Sequence, residues 1–411
     1  MPEDLTAAYA AALDEVLRGS HLVAPDQMGP LAAAGAAHLG ATSTVIWLVD
    51  YDQVLLVPVL PNDEQPREPQ TVDGSLAGRA FRSIEPVETE AGDSRRLWVP
   101  LLDGVERLGV LEVVLPSGGA PLDPQLHLLL GQYAHLVAEL YVSNCQYTDY
   151  YEWFRRQEPM ALPAEMQHAL LPPLTFGTDR FVVSGLLAPA YEVGGDAFDY
   201  ALNGNIAHLA MFDAVGHGLQ ASLLANLTVS GYRNSRRAGL DLTHTAAALD
   251  RTMADMFGGE RFTTALLAQL DVDSGELRMV NAGHPAPLLL RGARVVKELV
   301  VEPAAPLGLN GLLQEVTPGS FPVLSTQLQP GDRLLLATDG VDEARNAEGE
   351  FFGRDRLAAN AAKEAASGVA TPEMMRRLQQ AVLRHQVGAL QDDATMLFME
   401  WRTGREERNA L

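Results

Sequence analysis

One cysteine, Cys145, in 411 residues leaves no intramolecular disulfide and no thiolate set for a Cys-rich zinc site, so a reducing cytoplasm is the expected home. Long apolar runs are missing too. None approaches the roughly 18 uninterrupted apolar residues of a membrane span, and Met1-Pro2-Glu3-Asp4 opens without the basic-then-apolar order of a secretory leader. A soluble chain with no membrane partner is expected. Positive charge is scarce: 30 Lys and Arg stand against 53 Asp and Glu, a net charge of −23, which argues against a nucleic-acid backbone or an anionic lipid surface as partner.

The residues that are present suit a packed protein. Hydrophobic residues make up 47% and charged residues 20%, a globular composition. The length calls for two or three domains. One pattern recurs through the second half. An apolar run over 206–212 ends on Asp213, with Gly216 and Gly218 just beyond it. Another runs through Leu334-Leu335-Leu336-Ala337-Thr338 into Asp339-Gly340. Gly194-Gly195-Asp196 and Gln391-Asp392-Asp393-Ala394-Thr395 present acids in related settings. Carboxylates at the ends of buried strands, next to glycines that let the backbone turn, suit a hard divalent cation, because Mg²⁺ and Mn²⁺ take oxygen ligands. Taken singly, each Asp also fits a helix N-cap or a turn.

Along the chain, 5–17 and 27–39 read as helices, and 43–49 with 54–60 as a hairpin. Residues 62–70 are a polar, Pro-containing loop, Ser75 opens a short helix through Phe81, and 96–102 with 106–115 form a second hairpin around Asp103-Gly104. From 124 to 158 the positions Leu129, Tyr133, Leu136, Leu140, Ser143, Tyr147, Tyr150 and Phe154 step by threes and fours. This is the seam of a coiled coil that would join two protomers, or else a stripe that packs back onto the first domain. Pro159 and Pro163 interrupt the helix. Later, 219–236 and 243–256 read as helices, while 262–271 with 276–281 and 285–290 with 295–299 read as hairpins. Strands in runs with helices in pairs indicate an α/β protein of the α+β kind with mainly antiparallel sheets.

The order of elements over 20–145, with Ser75-Leu76-Ala77-Gly78-Arg79-Ala80-Phe81, Trp98-Val99-Pro100-Leu101 and Arg107-Leu108-Gly109-Val110-Leu111-Glu112-Val113, resembles a GAF domain. That resemblance implies a module that binds a small-molecule ligand or simply dimerises. Gln167-His168-Ala169-Leu170-Leu171-Pro172 resembles the Gln-x-x-Leu-Leu-Pro element that precedes the catalytic domain of RsbU-like phosphatases. Five further motifs, Gly194-Gly195-Asp196, Asp213-Ala214-Val215-Gly216-His217-Gly218, Asn281-Ala282-Gly283-His284-Pro285, Thr338-Asp339-Gly340 and Asp392-Asp393-Ala394-Thr395, resemble in order and spacing the PPM-type metal-dependent serine/threonine phosphatases of the SpoIIE and RsbU branch.

The resemblance implies an αββα sandwich and two Mn²⁺ or Mg²⁺ ions. Asp213 and the main-chain carbonyl of Ala214 would ligate them, with Asp196 on one side, Asp339 on the other and Asp392 from the C-terminal motif; Asp393 is the alternative there. Two such ions activate water for in-line attack on phosphorus, so no protein nucleophile is needed. His217 and His284 are the candidates for a general acid, and each also fits a structural role in its loop. Asp199 and Asp342 stand beside the motifs as turn or supporting residues. The implied substrate is a phosphoserine or phosphothreonine on a regulatory protein, most often an anti-sigma-factor antagonist. One departure is that no Arg or Lys lies between Arg180 and Asp196, where many eukaryotic members carry a phosphate-gripping arginine.

The expected division is an N-terminal helix over 1–19, the GAF-like domain over 20–123, a helical linker over 124–173, the phosphatase domain over 174–402 and a charged tail over 403–411, in a homodimer. Two alternatives compete. Gly194-Gly195-Asp196-Ala197-Phe198 is similar to the diguanylate cyclase signature but has Ala where that family has an acid, and a non-catalytic phosphoprotein-binding regulator would keep the same fold.

Overall fold

The computed structural model describes residues 5–61, 66–117, 122–191, 194–302, 304–313, 320–386 and 392–403. The start of the expected 62–70 loop (62–65), residues 192–193 and 391 of the motif regions, and the tail from 404 lie outside the described residues. The chain forms two compact units, 1–159 and 160–411, parting where Pro159 interrupts the helical pattern.

The first unit comprises α1 (Leu5–Ser20), α2 (Met28–His38), β1 (Ser43–Val49), β2 (Leu55–Val59), β3 (Gln70–Thr71), α3 (Leu76–Ser83), β4 (Val87–Ala91), β5 (Ser94–Asp103), β6 (Glu106–Pro116), α4 (Pro124–Cys145) and α5 (Glu152–Arg155). Its strands form one antiparallel sheet, β3-β2-β1-β6-β5-β4. Successive side chains of a strand point to opposite faces. Ile46 and Leu48 therefore pack under α1, α2 and α4, while Val45, Trp47 and Val49 pack under α3. Ser75 caps α3 by accepting the Gly78 N–H at 2.8 Å.

The continuous helix expected over 124–158 does not form. α4 ends at Cys145, and its buried face is Leu130, Tyr133, Ala134, Val137, Ala138 and Tyr141, one position out of phase with the expected seam. Tyr133 donates to the Ala32 carbonyl at 2.6 Å. After a turn, Tyr150 and Tyr151 pack edge-on against each other in the same core. This apolar stripe thus packs back onto the unit's own helices, the second of the two expected readings.

The second unit comprises α6 (Leu162–Leu170), β7 (Thr175–Gly177), β8 (Phe181–Ala188), β9 (Asp196–Asn203), β10 (Ile206–Ala214), α7 (Gly218–Arg237), α8 (Leu242–Phe257), β11 (Thr263–Asp271), β12 (Glu276–Ala282), β13 (Leu288–Arg291), β14 (Arg294–Glu298), α9 (Asn310–Leu313), β15 (Leu324–Gln327), β16 (Arg333–Ala337), α10 (Asp339–Glu343), α11 (Gly353–Ala366), α12 (Thr371–His385) and β17 (Ala394–Trp401). Two antiparallel sheets, β15-β12-β11-β10-β9 and β14-β13-β16-β17-β8-β7, stack face to face. α7 and α8 cover the outer face of the first, α11 and α12 that of the second. This is the expected αββα sandwich.

Period-2 alternation says where the site must be. In β10, Ala207, Leu209 and Met211 fill the space between the sheets, whereas Ala210, Phe212 and Ala214 face the helices. Phe198 and Tyr200 of β9, Leu334 and Leu336 of β16, and Leu397 and Met399 of β17 point into the same space. Each such side chain contributes roughly 1.5–3 kcal/mol by its burial. Continuing each row by two residues toward one end of the sandwich gives Asp213, Asp196, Thr338, and Thr395 with Asp393. The apolar interior thus gives way to carboxylates and hydroxyls at a single end.

Candidate metal centre

Asp213 lies opposite Asp196 in the β9–β10 register and opposite Thr264 on β11. Asp196 is buried and accepts the Thr338 hydroxyl at 2.6 Å across the gap between sheets. Thr338 in turn accepts the Thr395 N–H at 3.0 Å. Asp393 uses its carboxylate to hold the loop before β9, taking the Gly194 N–H at 2.7 Å and the Asp196 N–H at 3.3 Å. Asp392 stays exposed. Asp339 opens α10 one residue beyond Thr338.

Glycines permit this crowding. A Cβ on Gly195 would stand 2.3 Å from the Ala214 carbonyl oxygen, and one on Gly340 would stand 1.9 Å from the Asp393 carbonyl oxygen. Gly216, at φ +100°, turns the chain out of β10.

Among the described residues, no three His, Cys, Asp or Glu stand at metal-coordinating distance as placed. The acids nonetheless act on one another strongly. Burial, then the charges of Asp339, Asp392 and Asp393, push the Asp213 carboxyl up to about 7. Asp393 is pushed up to about 6, chiefly by burial. Asp196 is raised by burial and by Asp213 and Asp393, against the hydrogen bond from Thr338 that lowers it. Asp339 is raised by burial and by Asp392. The side chains acting on Asp213 are all acidic, and all present hard oxygen donors. A divalent cation is the counter-charge that such a set fits.

A consequence for stability follows from the sign of these shifts. The folded state holds these protons more tightly than the unfolded chain, whose aspartates titrate near 3.9. This contribution is therefore fully present below about pH 4 and is lost as pH rises through about 6 to 7. In chelator, thermal melts across that range should show it draining away for the second unit, and Mn²⁺ should restore stability most at the upper end. Metal-independent melts at neutral pH would contradict this.

The two histidines part company. His284 is buried, with Nδ1 at 2.8 Å from the Thr264 hydroxyl and its N–H and carbonyl both bonded to the Asn281 amide. Burial, reinforced by Arg354, pulls its titration down to about 3. As placed, its bonds to Thr264 and Asn281 suit the structural role in its loop. His217 is exposed at the entry to α7, and its Cα would lie 3.5 Å from a Cβ on Gly194. Asp199 points away into an ion pair, bonded by Arg233 at 2.7 Å and Arg236 at 2.8 Å. Asp342 faces Arg354 at 3.4 Å.

Residue motifs hid one contributor. Gln167, fully buried in α6, donates Nε2 to the carbonyls of both Gly194 (3.0 Å) and Asp196 (2.5 Å). Ser222 of α7 donates to the same Gly194 carbonyl at 2.7 Å. Arg233 bonds the Leu170 carbonyl at 2.7 Å, fastening α6 to α7. The Gln-x-x-Leu-Leu-Pro string flagged the segment, and a lone amide within an apolar helix was the signal for its role.

Residues 203–402 match the family model described as Stage II sporulation protein E (SpoIIE). Protein IcfG of Synechocystis is 24% identical over 262 residues, covering 57% of this chain and 40% of its own length. Phosphoserine phosphatase RsbU of Bacillus subtilis is 23% identical over 240 residues, 58% of this chain and 68% of RsbU. The solved RsbU and RsbW domains of Rv1364c from Mycobacterium tuberculosis align at 30% identity and TM-score 0.44, over 54% of this chain and 61% of that one. No helix among the described residues is long and apolar enough to cross a membrane. Over 203–402 the second unit thus matches the SpoIIE family model, and it is similar in sequence to the phosphoserine phosphatase RsbU.

Proposed function

We propose that the second unit is a metal-dependent protein serine/threonine phosphatase acting on a phosphorylated regulatory protein, of the anti-sigma-factor-antagonist kind. The observation that carries this reading is that Asp196, Asp213, Asp339 and Asp392 lie at one end of the sandwich, with Asp213 pushed up to about 7 by burial and then by its acidic neighbours. The kinship with proteins named phosphoserine phosphatases supports it. Asp213, the Ala214 carbonyl, Asp196, Asp339 and Asp392 are the groups that would hold two Mn²⁺ or Mg²⁺ ions. Bound there, the ions would supply activated water and neutralise phosphate charge.

The chain's own groups do the rest. Thr338 holds the Asp196 carboxylate, and Asp393 holds the Gly194 turn, which is why Asp392, with its exposed side chain, suits a cation better. His217, exposed at the entry to α7, would be the group that gives a proton to the departing serine oxygen. We assign the first unit a sensing role of the GAF type. Its sheet carries a cavity of about 450 Å³ lined by Trp47, Arg67, Arg96 and Glu112, with the buried Glu112 carboxylate held by both arginines and the Trp47 N–H.

The test is hydrolysis of a phosphoserine peptide by the full chain. Turnover should appear with Mn²⁺, vanish in EDTA and return on re-addition. Inertness with every divalent ion, alone and with a phosphorylated partner, would leave the phosphoprotein-binding regulator instead.

A further inference from the structure

We infer that Arg261 binds the phosphate of the substrate, an inference that rests on the phosphatase reading. The stretch before Asp196 lacks a cationic side chain, and the fold brings one from another element. The β10–β11 register runs through Asp213↔Thr264 and Ala214↔Thr263. One step further, Val215 N–H donates to the Phe262 carbonyl at 3.1 Å, which brings Arg261, the residue before Phe262, beside the Gly216 turn. The Arg261 NH1 atom lies 3.5 Å from the point a Cβ on Gly216 would occupy. The guanidinium thus lies over the turn that starts three residues after Asp213. Because Gly216 has no side chain, nothing of its own residue separates the fork from that turn.

The side chain is also aimed and unspent. NH2 donates to Gln220 in the first turn of α7, which fixes its direction. Among the described residues no carboxylate pairs with it. Several other arginines of this unit are neutralised, among them Arg233 and Arg236 by Asp199, Arg291 by Asp332, and Arg354 by Glu298 and Asp342. In a chain with 53 acids to 30 bases, an arginine whose partner is a neutral amide, at the rim of an acidic centre, is available to an incoming anion. A planar fork with N–H groups to spare matches two oxygens of a phosphomonoester. Metal ions would take the remaining oxygens, so Arg261 governs how tightly phosphate is held and how it is turned, not whether water is activated.

Arg261→Gln and Arg261→Lys in the full chain test this. With Mn²⁺ and a phosphoserine peptide, Arg261→Gln should raise KM and the inhibition constant of inorganic phosphate by roughly 10- to 100-fold, the range of a lost charge-assisted hydrogen bond. The kcat should stay within about threefold and Mn²⁺ affinity should hold, with Lys recovering part of the loss. Unchanged KM and phosphate inhibition in a variant that still turns over would overturn the inference while leaving the phosphatase reading intact. A fall in kcat and Mn²⁺ affinity at constant KM would also overturn it, making Arg261 a prop for the Gly216 turn. If the wild type is inert, inorganic phosphate binding in Mg²⁺ by calorimetry decides: weaker binding in Arg261→Gln supports the contact, and equal binding removes it.

Discussion

Asp213→Asn is expected to cut kcat for a phosphoserine peptide by about three orders of magnitude or more, with the variant fully folded. A thousandfold loss corresponds to about 4 kcal/mol of transition-state stabilisation, a reasonable weight for a carboxylate placed between two cations. The amide keeps the volume and removes the charge. It also relieves like-charge crowding, since Asp339, Asp392 and Asp393 all bear on this position. In chelator at neutral pH the variant should therefore melt no lower than wild type, and at about pH 5 the difference should shrink, because the wild-type group is then protonated. Loss of turnover together with a lower metal-free melting temperature would mean that the residue holds the fold. Retained turnover would end the two-ion reading.

The second large effect comes from a single methyl group. Gly340→Ala places a Cβ 1.9 Å from the Asp393 carbonyl oxygen and 2.8 Å from its carbon, backbone atoms that no rotamer can move aside. The strand-start segment must shift, and with it go the Asp392 carboxylate and the Asp393 grip on Gly194. Overpacking of this kind costs about 1–3 kcal/mol, or several degrees in the melting of the second unit. The functional loss should be larger, roughly 100-fold in Mn²⁺ affinity, because ligand groups held by their neighbours lose affinity when the support moves. Gly131→Ala on α4, where a Cβ meets nothing within 4 Å, is the control and should leave metal binding unchanged. Equal Mn²⁺ titrations for Gly340→Ala and wild type would show that the Asp393 segment plays no part in the centre.

Much of this centre could be read from residue order because strand alternation carries over from hydrophobic to acidic positions. The row Leu209, Met211, Asp213 keeps one face, so the acid's burial and its direction follow from its neighbours. The paired helices α7 and α8 and the hairpin β11–β12 were legible for the same reason. Other features were not. The stripe on α4 fits a two-helix seam as well as it fits an internal face, and only the presence of α1 and α2 beside it decides, since Ala32, Ala36 and Val16 complete the same core. His284 carries a motif shared with its loop, but nothing local says that Thr264, twenty residues away, will take its Nδ1 and that burial will keep it neutral. Arg261 escaped notice because its relation to Asp213 runs through antiparallel pairing of strands far apart in the chain. Gln167 was missed because its partners are main-chain carbonyls, which leave no trace in side-chain patterns.

That glutamine bears on where a fragment of the second unit has to begin. The SpoIIE match starts at 203, after Asp196, after the Gly194 turn and after the helix whose amide spans both carbonyls. A recombinant fragment cut at that point would lose β9 from the edge of one sheet, β7 and β8 from the edge of the other, and Asp196 with them, and a fragment cut at 174 would keep the acids yet release the turn that aims Asp196. Fragments made to test the proposed phosphatase therefore have to open at or before residue 160, so that the short helix travels with the Asp196 segment it steadies.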